Sequence, residues 1–229
     1  MVKVAVINGS PRLEKGSTGL VLGPFLEGLR DHGAEVDLAY ASKLKVKPCS
    51  CGQLACWYQS PGQCVIKDTM TELYPRLKLA NILVLASPVY SPVPGDLQNI
   101  INRMVALLDP KLVFRGGRTR ARFREDVQIK KLVLVAAGGW WERANVNLLE
   151  HIVEELAKNA SVEFTGTLFR PHAYAMQTPE GVTPHGEKVL SAFKQAAQEL
   201  MTMGAFNQKT LDDISQPLLP REMYEEYLG

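Results

Sequence analysis

Neither sign of charge dominates this 229-residue chain: 26 Lys and Arg stand against 24 Asp and Glu, a formal net charge of +2 at pH 7. So even a balance argues against a nucleic-acid binder, which needs a concentrated basic field. Long apolar runs are missing too. No stretch approaches the ~20 apolar residues needed to span a bilayer, so no membrane association is expected. Met1-Val2-Lys3 leads straight into alternating apolar residues, with no charged leader, extended apolar run or small-residue cleavage site. No secretory signal is read there, and a cytoplasmic protein is expected. Internal repeats and low-complexity tracts are absent. A hydrophobic share of 46% with 22% charged residues excludes the disordered and collagen-like classes and supplies one sizeable core.

Cysteine is scarce but concentrated. All four, Cys49, Cys51, Cys56 and Cys64, fall in one segment rich in Pro, Gly and Gln. Thiols acting as small buried hydrophobes would be scattered through the strands. Gathered in one loop of a reducing compartment, they point to a metal or redox site. The histidines, His32, His151, His172 and His185, show no ligand spacing and are expected on surfaces.

The apolar pattern alternates between two periods. Val2–Ile7, Ala34–Tyr40, Asn81–Ser87, Lys131–Ala137 and Val162–Leu168 read as strands, the third and fourth apolar throughout, as strands buried on both faces are. Between and after them, apolar residues at helical spacing mark helices over Ser17–Arg30 (with Pro24 a potential kink), from Asp68 to about Lys78, and around Leu97–Leu108, Leu149–Leu156 and Val189–Leu200. Such alternation predicts an α/β fold: a flavodoxin-like, doubly wound, five-stranded parallel sheet of order 2-1-3-4-5 with helices on both faces. One domain is expected over residues 1–206, with the cysteine-rich loop 45–66 inserted after strand 2. A tail over 207–229 would wrap the surface or a partner subunit, or stay disordered.

Open α/β sheets bind ligands beyond the carboxyl ends of their strands. Three loops lie there. Gly9-Ser10-Pro11-Arg12, continuing to Gly16-Ser17-Thr18, offers hydroxyls, backbone N–H groups and an arginine just before a helix, the means of holding a phosphate. It matches neither GxGxxG nor a GxxxxGK[ST] loop, and a plain polar turn with a Ser/Thr cap would use the same residues. Ser87-Pro88-Val89-Tyr90-Ser91 is stiffened by prolines and carries an aromatic face. Ala137-Gly138-Gly139 lets a flat ligand approach the backbone, and Trp140-Trp141 follow. A phosphorylated planar ring system such as FMN suits the three together. Arg115, Arg118, Arg120, Arg122 and Arg124 form either a solvated basic loop or a grip for a 2′-phosphate.

GSPR at Gly9–Arg12 followed by GST at Gly16–Thr18, CVIKD at Cys64–Asp68, SPVY at Ser87–Tyr90, and Asn102-Arg103 together resemble the NADPH-dependent FMN reductase superfamily over about residues 1–165. The cysteine group resembles its iron–sulfur flavoprotein branch. The resemblance implies that Ser10, Arg12, Gly16, Ser17 and Thr18 bind the FMN phosphate. It sets Pro88, Val89, Tyr90 and Ser91 beside the isoalloxazine, and Ala137, Gly138 and Gly139 at the far end of the flavin. Catalytic side chains are not expected, because the cofactor does the chemistry. A [4Fe–4S] cluster on Cys49, Cys51, Cys56 and Cys64 would use every thiol in the chain. Two features depart from the family. Its branch typically spaces cysteines as CxxCxxC with a fourth further on, whereas here one, four and seven residues separate them, and Asn102 stands where an acid commonly precedes Arg103. Cys64 beside the β-rich Val65-Ile66 would tether the loop near the ligand-binding end of the sheet.

The expected function is an FMN-dependent oxidoreductase or electron-transfer flavoprotein passing electrons between cluster and flavin. NAD(P)H is a possible substrate, a redox protein or small molecule the acceptor, and a homodimer or homotetramer the assembly. Two alternatives stay open. One is an NAD(P)H-dependent FMN or quinone reductase without a cluster, its cysteines binding zinc or free. The other is a non-enzymatic flavodoxin-like electron carrier or sensor.

Overall fold

The computed structural model describes residues 1–52 and 54–228. Gln53, inside the predicted cysteine loop, and Gly229, in the predicted tail, lie outside the described residues. In chain order the elements are β1 (Lys3–Asn8), α1 (Ser17–Asp31), β2 (Glu35–Tyr40), α2 (Ala41–Leu44), α3 (Ala55–Tyr58), α4 (Met70–Leu79), β3 (Ile82–Pro88) and α5 (Gly95–Arg103). The hairpin β4 (Val113–Arg115) and β5 (Arg118–Arg120) follows, then β6 (Lys131–Ala137), α6 (Asn147–Ala160) and β7 (Glu163–Arg170). Short strands β8 (Gln177–Thr178) and β9 (Gly181–Val182) precede α7 (Pro184–Met203), α8 (Gln208–Ser215) and α9 (Arg221–Leu228).

Five parallel strands form the main sheet in the order β2-β1-β3-β6-β7, the flavodoxin-like arrangement expected from the sequence. β3 and β6 lie inside, and their side chains are buried almost without interruption, which is why both segments are apolar throughout. Successive strand residues face opposite sides, so each strand feeds two cores. Val4, Val6, Val84 and Val133 pack under α1 and α7; Ala5, Ile7, Leu83 and Leu132 pack under α4, α5 and α6. α1 continues through Pro24 to Asp31.

The segment after residue 206 is built into the fold. α8 packs against α7 and β7, with Ile214 fully buried. Arg170, also fully buried, donates to the carbonyls of Ile214 (2.7 Å) and Gln216 (2.8 Å). Among the described residues no helix is long and apolar enough to cross a membrane.

Candidate functional site

The loop after β1 is shaped by a side chain that no sequence motif singles out. Asn8 is buried; its Oδ1 accepts from the Ser10 N–H (2.8 Å) and its Nδ2 donates to the Leu13 carbonyl (3.4 Å). Ser10 Oγ in turn accepts from the Arg12 N–H (3.3 Å). This folds the loop back on α1, whose first N–H groups have no partner inside a helix. No side chain caps them: Gly16 occupies the cap position, and the helical bonding starts with the Leu20 N–H on the Gly16 carbonyl (3.0 Å). Ser10, Gly16 and Thr18 are buried against the loop, whereas Arg12 is exposed and pairs with no carboxylate among the described residues. An open helix N-terminus beside an uncommitted guanidinium suits a phosphate.

Gly19 holds that geometry. A Cβ there would sit 2.6 Å from Glu14 Cα, Glu14 O and Leu13 O, all backbone atoms of the loop. Gly19→Ala is therefore expected to push the loop off α1 and weaken binding of a phosphate-bearing ligand about tenfold or more, since overpacking of this kind costs about 1–3 kcal/mol. Fluorescence titration reads it; unchanged affinity in a folded variant would contradict the loop assignment.

The other two loops are stitched to the same edge. The Gly9 N–H donates to Ala86 O (2.7 Å) and the Val89 N–H to Ala137 O (2.9 Å), so the ends of β1, β3 and β6 stand side by side. Val89, Tyr90 and Ser91 face Gly138, Gly139 and Trp140 across a cleft of about 370 Å³, closed by Asn145 in the turn before α6 and by Leu148 and Leu149 at its start. Gly139 meets nothing within 4 Å where a Cβ would stand, whereas Gly138 lies against the Phe169 ring. Tyr90 and Trp140 leave large aromatic faces open to solvent. Pro88 and Ala137, paired in register, support the cleft from below without lining it. Trp140 belongs to the third loop read from sequence; Asn145, Leu148 and Leu149 are lining residues beyond the three loops.

The cleft is backed by the far end of the chain. The Tyr224 hydroxyl donates to the Gly139 carbonyl (3.3 Å), and Trp141 stacks on His172 at 4.5 Å between ring centres. His172 is buried, contrary to the surface position expected of it. Its Nε2 takes the Leu218 N–H (3.2 Å) and lies 3.0 Å from Arg170 Nη2. Burial, and then Arg170, push its pKa down to about 4, so the ring is neutral and free to accept.

The cysteine loop contributes no residue to the lining of this cleft. Val65-Ile66 join no strand, and the loop is held by the last residue of α5 instead of by the sheet. Cys49 is exposed, Cys51 half-buried, Cys56 and Cys64 buried. Burial, together with Cys51, Cys64 and Cys49, pushes the Cys56 thiol up to about 11, and burial and Cys51 also raise Cys49. Cys49 and Cys56 thus each lie near other thiols of the loop. Among the described residues no three Cys, His, Asp or Glu side chains are gathered to hold a metal ion. A tetrahedral zinc with Zn–S near 2.3 Å needs sulfurs about 3.8 Å apart. A four-iron cube carries its thiolates at separate corners, spaced more widely, and the four cysteines of this one loop supply the number and kind of donors it takes.

The arginines are occupied within the chain. Arg118 and Arg120 both reach Glu155 (3.2 Å), Arg115 donates to the Lys158 carbonyl (2.7 Å), and Arg122 pairs with Asp109 (3.4 Å). Glu155 and Lys158 lie toward the end of α6, about 10–15 Å along its axis from Leu148 and Leu149 in the cleft. This arrangement favours a basic hairpin held by ion pairs over a 2′-phosphate grip beside the cleft.

A family model described as NADPH-dependent FMN reductase matches residues 2–140. The chain belongs to the NADPH-dependent FMN reductase family. The matched span of this FMN reductase family member holds all three loops of the sheet edge and all four cysteines. The chain is 37% identical over 109 residues to an iron-sulfur flavoprotein from Methanosarcina thermophila, covering 46% of this chain and 54% of that one. It is 36% identical over 120 residues to an iron-sulfur flavoprotein from Methanocaldococcus jannaschii, covering 50% and 57%. It therefore spans about half the length of the curated relatives it matches. Among solved structures it resembles an FMN-dependent NADH-azoreductase from Bacillus anthracis (TM-score 0.60, 15% identity, 90% of this chain and 100% of that one). It also resembles an NAD(P)H:quinone oxidoreductase from Methanothermobacter marburgensis (TM-score 0.58, 16% identity, 87% and 96%). At such identities these two structures support the fold alone.

Proposed function

We propose that this chain is an FMN-dependent oxidoreductase that passes electrons between FMN and a [4Fe–4S] cluster on Cys49, Cys51, Cys56 and Cys64. The observation that carries the reading is the uncapped start of α1, with Arg12 free beside it, on the same sheet edge as the aromatic cleft. Bound FMN would supply the electron-transfer chemistry itself. The chain's residues bind and orient it. Ser10, Arg12, Gly16, Ser17 and Thr18 would hold the phosphate; Val89, Tyr90 and Ser91 would flank the ring on one side and Gly138 and Gly139 on the other, with Pro88 and Ala137 fixing those two loops against each other. The iron-sulfur flavoproteins among the relatives support the cluster, as does the gathering of all four cysteines in one loop.

NAD(P)H is the reductant this family suggests, with a quinone-like small molecule or a redox protein as acceptor, in a homodimer or homotetramer. A second reading, an NAD(P)H-dependent FMN or quinone reductase without a cluster, is favoured by the lack of a gathered metal-binding group among the described residues. Anaerobic preparation with iron and sulfide, followed by iron, sulfide and zinc analysis and NAD(P)H turnover with a quinone, separates the readings. About four iron and four sulfide per chain support the first. Turnover with one zinc or no metal supports the second, and FMN binding without turnover leaves a carrier.

A further inference from the structure

The cysteine segment leaves the fold and rejoins it at one point, and that point is a fully buried arginine. Arg103, the last residue of α5, donates from Nη1 to the Lys47 carbonyl (3.1 Å) and from Nη2 to the Ile66 carbonyl (3.1 Å). The same two nitrogens reach both oxygens of Asp68, at 2.9 and 3.1 Å. Asp68 closes the ring by accepting the Lys47 N–H (2.9 Å) and the Met70 N–H (3.0 Å). Chain entering at Lys47 and chain leaving at Ile66–Asp68 are thus bolted to one guanidinium, and all four cysteines lie between. Asn99, one turn earlier on α5, adds a bond from its Nδ2 to the Val46 carbonyl (3.1 Å). Within the described residues Arg103 Nε is left buried without a hydrogen bond, so both terminal nitrogens serve the neck while the third goes unpaired.

We infer that Arg103, with Asp68, is the positioning residue of the cysteine centre: it clamps the base of the loop so that four thiols are presented in a single arrangement. The inference rests on the cluster reading above for what the thiols hold, but the clamp can be tested without it. Pinning both ends of a loop removes most of its freedom. A bidentate fork fixes direction as well as distance, which an ammonium cannot do. Further out, the Trp57 indole N–H donates to the Val105 carbonyl (2.8 Å), so the loop's own helix α3 is tied to the segment just after Arg103. The loop is therefore held at its neck and at its middle.

The test uses the full chain in three forms. Arg103→Lys keeps the charge and loses the fork. The double variant Asp68→Asn/Arg103→Gln removes both charges together, avoiding a buried unpaired ion. Asn99→Ala loosens the neck without touching the ion pair. In metal-free protein, alkylation of Cys56 and Cys64 by iodoacetamide, resolved by mass spectrometry, should be about tenfold faster in the first two variants and about two- to threefold faster in Asn99→Ala, as expected when hydrogen bonds of this kind are lost. FMN content should hold. Folded variants that alkylate at the wild-type rate would overturn the clamp. If the Arg103 variants lose FMN with their fold, Asn99→Ala decides, and a wild-type rate there overturns it. In reconstituted protein, the variants should release iron to a chelator faster and alter the EPR line shape of the reduced cluster. Unchanged release and line shape would overturn the clamp's service to the cluster. A wild-type chain that takes up no iron would instead overturn the cluster reading, with the alkylation rates still deciding the clamp.

Discussion

Replacing Arg12 and Thr18 together by alanine is expected to weaken FMN binding by about 2–4 kcal/mol, roughly 30- to 1,000-fold, taking each lost anion contact as about 1–2 kcal/mol. The two residues act differently. Arg12 is exposed and uncommitted, so its guanidinium can close on a phosphate with no internal ion pair to break first. Thr18 is buried at the second position of α1, where its N–H lies among those without a helical partner. Alanine keeps that N–H, so Thr18→Ala alone should have the smaller effect. Arg12→Ala alone should show a loss that shrinks with added salt, because an exposed charge is screened over about 8–10 Å. Equilibrium titration of the flavin-free protein with FMN measures all three. A double variant that purifies with full flavin and unchanged affinity would remove the phosphate from this loop.

Cys56→Ser should abolish the broad visible absorption of a cluster while leaving FMN in place. Cys56 is buried and feels each of the other three thiols, which puts it at the centre of the group. Burial pushes its thiol up to about 11, further above neutral pH than an ordinary thiol, so it gives up its proton only as iron binds. A serine hydroxyl is a far poorer ligand for iron. Flavin should persist because the cleft and the phosphate loop share no residue with the cysteine segment. Spectra and iron analysis of anaerobically reconstituted protein give the answer. One tightly bound zinc, or four titratable thiols and no metal, in the parent protein would sink the cluster, as would a Cys56→Ser protein retaining the full absorption.

The sheet was legible because its inner strands must be apolar on both faces. Ile82–Pro88 and Lys131–Ala137 can be little else, and their observed bounds differ from the reading by at most one residue. The loops at their ends were legible for a related reason: in this topology a ligand site can only follow those strands. What escaped depends on distant contacts. Asn8 reads as the end of a strand until its amide is seen holding the next turn. His172 follows Arg170-Pro171 just past the last strand of the main sheet, and nothing near it in sequence announces Trp141 or Leu218. The basic hairpin did carry a signal. Gly116-Gly117, both at positive φ, form the two-residue turn that joins β4 to β5, but five arginines drew the reading toward a solvated loop. Arg103 was noticed as part of a motif, yet its bonds to both ends of a loop are visible only in three dimensions.

The buried guanidinium of Arg170 has a consequence for the order in which the protein is made. The sheet is finished in sequence at β7, and α7 covers its last open face, yet Arg170 then still lacks the Ile214 and Gln216 carbonyls. The Gly139 carbonyl at the cleft likewise waits for Tyr224. During synthesis these supports arrive last, after every residue that lines the cleft has left the ribosome. A nascent chain therefore passes through an interval in which the sheet is assembled and the flavin edge is still unbraced. A chain stalled before residues 214–216 would leave the Arg170 guanidinium short of two of its carbonyl partners, an uncompensated cation in the interior.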